Sequence, residues 1–496
     1  MTQVDAGAGN APAKLFRGYD NVSRGMLSSS AVTGKYEKTD GRSTAHIHVC
    51  ESITELSRAL EIDASLSVSY LKAANISAKM KFVQELNVTA NSVTIVVYAT
   101  HSTGIWRVKD IALDPEADIK DAAKFVRSYG DSFVSAATEG GEYYAVYAFR
   151  TETREQQTKL TGELKAKGLG GGVTVNAAAQ AKLTEFLNST NVSRTFDQEI
   201  TGITNPDLPA EDKLIEFALA FPKKTLDAPV TTSFAVSSYE DVPRFPDMFE
   251  AVRKARRHFL GEDGVLRSLA KLRGIQDKIA WLENIYRRYN YDGDKDLPTF
   301  KSQVDADVLK ITQQITDWED DPTGKFEKPQ LPSLAKGEPA LNYLAGQPPS
   351  YGGEGGGPFD FMSVGEALGN QVKIVSIRLA DGGSRVHRLE VGYASDRTQW
   401  VKATGGSSGS AKEIMHIEDG HFPIRFNIRS GASVDRIEIH CSDGRWTWAG
   451  GDSGAPYEWK VPEGSVVLGF TGRSGAVIDQ IKIIHAALKP AKYVRI

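Results

Sequence analysis

The stretches SGASVDRIEI (Ser430–Ile439) and SGAVIDQIKI (Ser474–Ile483) read nearly alike, and QVKIVSIRLADGG (Gln371–Gly383) resembles both more weakly. Three related strand units suit a threefold all-β arrangement, with turn signals between short β-like runs. Upstream, Asp320–Gly357 (DDPTGKFEKPQLPSLAKGEPALNYLAGQPPSYGGEGGG) is rich in Pro and Gly. Such a run buries too little apolar surface to fold alone, so it is expected to be a connector. At 496 residues the chain is long enough for two or three domains. The expected division is 15–320, a linker at 321–350, and an all-β domain over 351–490.

The first part is mixed, which makes the fold class α+β. Val93–Ala99 (VTIVVYA) is a continuous apolar and β-branched run, as for a strand buried on both faces. Thr231–Ser237 reads as another strand. From Pro246 to Asn290 the pattern turns helical, with Ile275, Ile279, Leu282, Tyr286 and Tyr289 at helical spacing. The formal net charge of −4 gives no reason to expect nucleic acid as a partner. Cys50 and Cys441 lie too far apart to suggest a disulfide framework. MTQVDAGAGNAPAK shows neither the basic nor the apolar region of a signal peptide. Release as a soluble monomer is therefore expected by a route the sequence does not reveal.

Two segments alternate with a period of two. In Glu61–Phe82, Leu66, Val68 and Tyr70 alternate with serines; after a break, Ile76, Ala78, Met80 and Phe82 alternate with Ser77, Lys79 and Lys81. In Leu160–Leu183, Val173, Val175, Ala177, Ala179, Ala181 and Leu183 alternate with Thr174, Asn176, Ala178, Gln180 and Lys182. One apolar and one small polar face is what a transmembrane β-barrel strand requires, and about 9–11 residues cross a bilayer. The composition, rich in Ala, Lys, Glu and Gln, favours a helix instead. Such a conflict suits a segment that is helical in one state and extended in another.

Between these segments lies YGDSFVSAATEGG, Tyr129–Gly141, whose glycine doublet directly precedes the strand candidate EYYAVYAF. A doublet weakens a strand, because it packs no side chain and loses more backbone entropy. Tyr129-Gly130-x-x-Phe133, six residues, then Gly140-Gly141 resembles the signature of the membrane attack complex/perforin (MACPF) family. Asp131-Ser132 stands where many members have Thr-His, and Gly202 stands alone where a second doublet is expected. The resemblance covers residues 20–320 and implies a bent four-stranded antiparallel sheet carrying two helical clusters. These would unravel into membrane-crossing hairpins as the molecules assemble in a ring. Gly140 and Gly141 would then sit at the bend of the sheet.

SYGGEGGGPFDF resembles the opening of jacalin-like lectin domains, and Gly475-Ala476-Val477-Ile478-Asp479 matches their G-x-x-x-D sugar loop. The resemblance implies a threefold β-prism that binds carbohydrate. Asp479 would accept vicinal sugar hydroxyls, the N–H groups of Ala476 and Val477 would donate, and Gly356 would let the backbone approach. Gly431 to Asp435 repeats the spacing and is a second candidate. Ala476 and Val477 offer no aromatic face for stacking.

Three further signals are set aside. GGDSGAP (Gly450–Pro456) has the look of a serine-protease loop but no partner His segment accompanies it. His46-x-His48-x-Cys50 lacks an evident fourth metal ligand, and Asp292-x-Asp294-x-Asp296 lacks the closing Glu of a calcium loop. The expectation is a non-enzyme without cofactor or metal. Its expected partners are surface glycans, target-cell membrane lipids and further copies of itself, with a second protein component left open.

Overall fold

The computed structural model describes residues 2–5, 11–51, 53–61, 92–150, 154–169, 172–189, 194–261, 263–328, 336–395 and 399–494. The chain divides into two compact units, Met1–Asp277 with Ser302–Ser333, and Lys278–Lys301 with Leu334–Ile496.

In the first unit the labelled strands are β1 (Val32–Thr39), β2 (Thr44–Cys50), β3 (Ser92–Leu113), β4 (Ser132–Arg150), β5 (Val173–Thr174), β6 (Arg194–Ile200) and β7 (Val230–Ser238). The helices of the chain used below are α1 (Ile53–Ala59), α2 (Ala122–Tyr129), α3 (Arg154–Ala166), α4 (Ala177–Ser189), α5 (Leu214–Ala220), α6 (Glu250–Leu260), α7 (Val265–Arg288) and α8 (Leu297–Asp320). Both α7 and α8 carry residues of the two units.

The long strands β3 and β4 pair antiparallel from Ser92↔Arg150 to Arg107↔Ala136. Alternation sends Val93, Ile95, Val97, Tyr143, Ala145 and Tyr147 to one face. Val96, Tyr98, Tyr144 and Val146 go to the other, against Leu56 and Leu60 at α1. Both faces are therefore covered, as the unbroken apolar run at Val93 suggests.

Each long strand changes its outer neighbour at one level. β3 pairs with β2 over Thr94–Thr100 and with β1 over Ile105–Leu113. β4 pairs with β7 over Ser132–Gly140 and with β6 over Tyr143–Phe149. The glycine doublet lies at this exchange. A Cβ on Gly140 would come 2.1 Å from the His101 carbonyl oxygen, and one on Gly141 would come 2.6 Å from that of Thr201. Gly202 packs its backbone against Gly141. The register shift falls on β3, between Ser102 and Gly104, rather than in the doublet itself.

The second alternating segment is not a strand here. Among its described residues only Val173–Thr174 is a strand, and α3 and α4 flank it. Leu160, Leu164, Leu169, Val175, Ala179, Leu183 and Phe186 are buried against the sheet, whereas Ala177 and Ala181 are exposed and Val173 is half-buried. The stripe over Ala179, Leu183 and Phe186 has helical spacing, so the period of two does not describe this state. Local signals fix the helix ends. Asn176 Oδ1 accepts the Ala179 N–H at 2.9 Å as an N-cap, and Gly168, at φ 75°, closes α3. The first alternating segment, with Leu66, Val68, Ile76, Ala78 and Met80, lies outside the described residues.

The connector expectation also needs correcting. Glu338–Ala345 is a strand paired with Ala486–Val494, because Ala340, Asn342 and Tyr343 supply a ladder despite the surrounding prolines. Within this second unit the 278–301 stretch is tied down by hydrogen bonds. Tyr289 Oη donates to the carbonyls of Ala367 and Val372, Arg288 to that of Ala394 at 2.6 Å, and Asn290 to that of Gly420 at 2.8 Å. Asp294 accepts from Tyr286 Oη at 3.0 Å, Leu297 N at 3.1 Å and Ala491 N at 2.7 Å. Its carboxylate is thus occupied as a structural cap. His46 and His48 stand with ring centroids 6.1 Å apart on β2, and Cys50 is buried beyond them.

The signature residues of the first unit form a joint. Tyr129 ends α2, and Gly130, at φ 77°, has no room for a Cβ beside the Tyr19 carbonyl, 2.3 Å away. Phe133 is buried with its ring 5.4 Å from that of Tyr239. Asp131 accepts from Asn21 N at 3.0 Å and Asn21 Nδ2 at 2.7 Å, and pairs with Arg256 of α6 at 3.1 Å. Beside it, Asp20 accepts from Val22 N at 2.8 Å, Ser23 N at 3.3 Å and Trp318 Nε1 of α8 at 3.1 Å.

Burial, followed by the nearby Asp131 carboxylate, raises the Asp20 pKa from 3.8 to about 6, against the pull of these hydrogen bonds. Between these two values the folded chain holds a proton that the unfolded chain releases. That contribution to stability is full below the unfolded value and is lost as pH rises through about 6. Asp20→Asn removes this dependence. Urea unfolding should show the Asn variant gaining on the wild type as pH rises from about 4 to about 7.

Candidate carbohydrate-binding site

The second unit holds three sheets of five, five and four strands among the described residues. Each is centred on a hairpin: Lys373–Asp381 with Val386–Ala394, Pro423–Ser430 with Val434–Cys441, and Ser465–Ser474 with Ile478–Val494. Inward residues such as Ile377, Leu389, Phe426, Ile437, Phe470 and Ile481 are buried, and alternation along each strand supplies them. In every sheet a second connection passes beside the hairpin turn. These connections are Gly352–Gly356, Gly450–Gly454 and Gly405–Gly409, and all three read Gly-Gly-x-x-Gly.

Backbone crowding explains the glycines. A Cβ on Gly352, Gly450 or Gly405 would lie 2.1, 2.0 or 2.2 Å from the carbonyl oxygen of Asp479, Asp435 or His387 respectively. The next N–H in each connection, from Gly353, Gly451 or Gly406, donates to that same carbonyl at 2.9 Å. Gly353, Gly451 and Gly406 in turn abut Ala432, Gly383 and Ala476 of a neighbouring hairpin turn, so the three turns and three connections form a closed ring.

The first corner gathers Gly356, Gly475, Ala476, Val477 and Asp479. Gly356, at φ 63°, has no room for a Cβ, which would lie 2.4 Å from the Ser474 carbonyl oxygen and 2.5 Å from Asp479 Oδ2. The turn closes with Gly475 N donating to Val477 O at 3.0 Å. Gly475 and Ala476 are exposed, and Val477 and Asp479 are half-buried. Arg473 donates to the carbonyls of Gly355 and Gly356, at 3.0 and 2.7 Å, and so braces the connection.

The second corner repeats this plan. Gly454, at φ 75°, lies against Asp435 Oδ2 and Ser430, the Gly431 N–H donates to Ser433 O at 3.0 Å, and Arg429 donates to Ser453 O at 3.2 Å. Here Asp435 is more deeply buried, and Arg385 from the neighbouring turn comes within 4.0 Å of its Oδ1. Sequence reasoning missed Gly454, although the signal was present. The GGDSGAP stretch is the second corner's connection, and its match to GGEGGGP shows when the two are aligned on their glycines.

Gly475 and Gly431 differ from the crowded glycines. Neither has a positive φ, and the nearest atom to an added Cβ would be the Asp479 or Asp435 Oδ2, at 3.7 Å in both cases. The fold does not demand glycine there. What a side chain would do is intrude on the space before the carboxylate. A sugar diol entering that space would meet an anionic acceptor and a backbone with no side chain in the way.

A β-prism with acidic G-x-x-x-D turns defines a lectin-type carbohydrate-binding class. Residues 349–484 match the family model described as Jacalin-like lectin domain, so the C-terminal part of the chain is a jacalin-like lectin domain. Among solved structures, a Malaysian banana lectin is 19% identical and covers 30% of this chain and 99% of its own, with a TM-score of 0.25. AcmJRL, a mannose-binding jacalin-related lectin from Ananas comosus, is 18% identical, covers 30% of this chain and 99% of its own, and has a TM-score of 0.25. A lamprey immune protein is 24% identical over 28% of this chain and 43% of its own, with a TM-score of 0.25. No curated protein matches the chain.

The structure thus places the predicted sugar residues in two corners. The signature residues lie in the first unit, Tyr129, Gly130 and Phe133 at the joint and Gly140 and Gly141 at the partner exchange. One contrast tests the glycine roles. Gly356→Ala and Gly454→Ala should each destabilise by about 1–3 kcal/mol, whereas Gly475→Ala and Gly431→Ala should stay within about 0.5 kcal/mol in urea unfolding.

Proposed function

We propose that this chain is a glycan-directed pore-forming protein: its lectin domain binds surface carbohydrate, copies gather into a ring, and segments of the first unit insert as β-hairpins. The glycan step rests on the two corners where the fold leaves Gly475 and Gly431 bare before an acidic acceptor. The insertion step is supported by the α3–β5–α4 segment, whose sequence alternates like a barrel strand while its residues are stored as helices on the sheet.

Conversion has to be uphill in water. Burying Leu160, Leu164, Leu183 and Phe186 stabilises the stored form by roughly 1.5–3 kcal/mol per side chain. A lone hairpin in hydrocarbon leaves unpaired backbone groups that cost several kcal/mol each, and ring closure pairs them. Lipid contact and oligomerisation together supply the drive. The exchange level at Gly140–Gly141 is where β4 would have to part from β6 or β7 as its neighbour changes. The second reading is a non-lytic glycan-binding or adhesion protein, favoured by how completely α3 and α4 bury their apolar stripe.

Dye release from glycan-bearing liposomes separates the two readings. The Val175 N–H donates to the Ala45 carbonyl at 3.1 Å, which holds the stored segment to β2. An Ala45→Cys/Val175→Cys pair, oxidised, is expected to stop release and leave glycan binding intact, with release restored by reductant. Intact vesicles with every lipid and glycan tested would leave the adhesion reading. Asp479→Asn removes a charged acceptor, so glycan affinity at the first corner should fall by about 1.5–3 kcal/mol in a titration.

A further inference from the structure

The third corner has the backbone of the other two and a different side chain at the acceptor position. Its turn joins Lys373–Asp381 to Val386–Ala394, and its connection is Gly405–Gly409, with Gly409 at φ 102°. His387 follows the turn-closing Val386 as Asp435 follows Val434 and Asp479 follows Ile478. The turn is one residue longer, closing as Asp381↔Val386 rather than Ser430↔Val434 or Ser474↔Ile478.

The ring occupies the space that the carboxylates leave open. At the first two corners Oδ2 sits 3.7 Å from where a Cβ on Gly475 or Gly431 would lie. At the third, His387 Nε2 lies 2.0 Å from where a Cβ on Gly382 would lie, and its own Cβ is 3.1 Å from the corresponding point on Gly409. The imidazole therefore spans from the connection to the turn. Nδ1 is fixed by Ser408, 3.1 Å from its carbonyl oxygen and 2.9 Å from Oγ. With Nδ1 donating to that carbonyl, a neutral ring keeps one acceptor, already pressed on Gly382; a protonated ring keeps none. Neither form accepts two sugar hydroxyls.

We propose that His387 plugs the third corner, so the lectin domain presents two diol-binding positions, at Asp479 and Asp435, and this residue sets its valency. The inference rests on the glycan reading of those two carboxylates. It makes the domain able to bridge two sugar ends while its third corner stays blank.

Equilibrium titration of the full chain with methyl α-D-mannoside, by calorimetry, tests it. Two sugar equivalents are expected for the wild type, one for Asp479→Asn and for Asp435→Asn, and none for the double variant. His387→Asp should raise the count to three, and in the double-variant background should restore one. Residual binding of one equivalent by the double variant, or an unchanged count in folded His387→Asp, overturns the proposal and leaves the glycan reading standing. No binding of the mannoside by the wild type overturns this proposal, and no binding of a galactoside, glucoside or N-acetylglucosaminide in the same titration removes the glycan reading as well.

Discussion

Close approach of two backbones at paired glycines is the constraint on which both units depend. At Gly140–Gly141 the carbonyls of His101 and Thr201 come where a Cβ would lie, and Gly202 packs its own backbone there. At Gly352, Gly450 and Gly405 the carbonyl after each hairpin turn does the same. A methyl group at any of these points would drive two peptide groups apart. In the first unit the contact lets one strand serve two successive outer neighbours. In the second it holds three turns against three connections, and the acceptor side chains then stand at fixed corners. The two acidic corners open where this constraint stops: Gly475 and Gly431 are bare without being crowded.

Much of the second unit was legible because its repeat is written in the chain. The SGASVD and SGAVID turns, and the weaker LADGG turn, fall at the three hairpins. The threefold Gly-Gly-x-x-Gly was equally available but hidden by context. GGEGGG reads as a connector's end and GGDSGAP as a protease loop, and only the shared register shows them to be one element. Glu338–Ala345 was unreadable for a different reason. Its partner, Ala486–Val494, is far along the chain, and local composition carries no trace of a ladder formed at that distance.

In the first unit the strands at Val93 and Thr231 were correct in place and too short in extent. β3 runs to Leu113 through Arg107, Lys109 and Asp110, whose charges face outward at the sheet's less covered end. The α3–β5–α4 segment shows why a period of two deceives. Every second residue from Val173 is apolar, but so is every third or fourth, because Ala fills both patterns. Asn176 and Gly168 settle it, since a capping side chain and a positive-φ glycine stop helices whatever the intervening periodicity.

The order in which the prism's faces are written bears on how it forms. The face from Pro423 to Lys460 is continuous in sequence: Pro423–Ser430, Val434–Cys441 and Trp446–Gly450 pair in succession, and Ala455–Lys460 returns to pair with Pro423–Ser430. The face containing Ile478–Val494 instead recruits Glu338–Ala345, Ser350–Gly352 and Gly357–Asp360, and must close a loop of more than a hundred residues to do so. Loop closure of that span delays pairing, so the two faces continuous in sequence, residues 373–416 and 423–460, pair first and the split face is the last to zip. During synthesis, residues 338–360 emerge early and stay without their cognate strands until the end of the domain has been translated. An unpaired edge of that kind invites misassociation, and the prolines and glycines that crowd it discourage other strands from adding there.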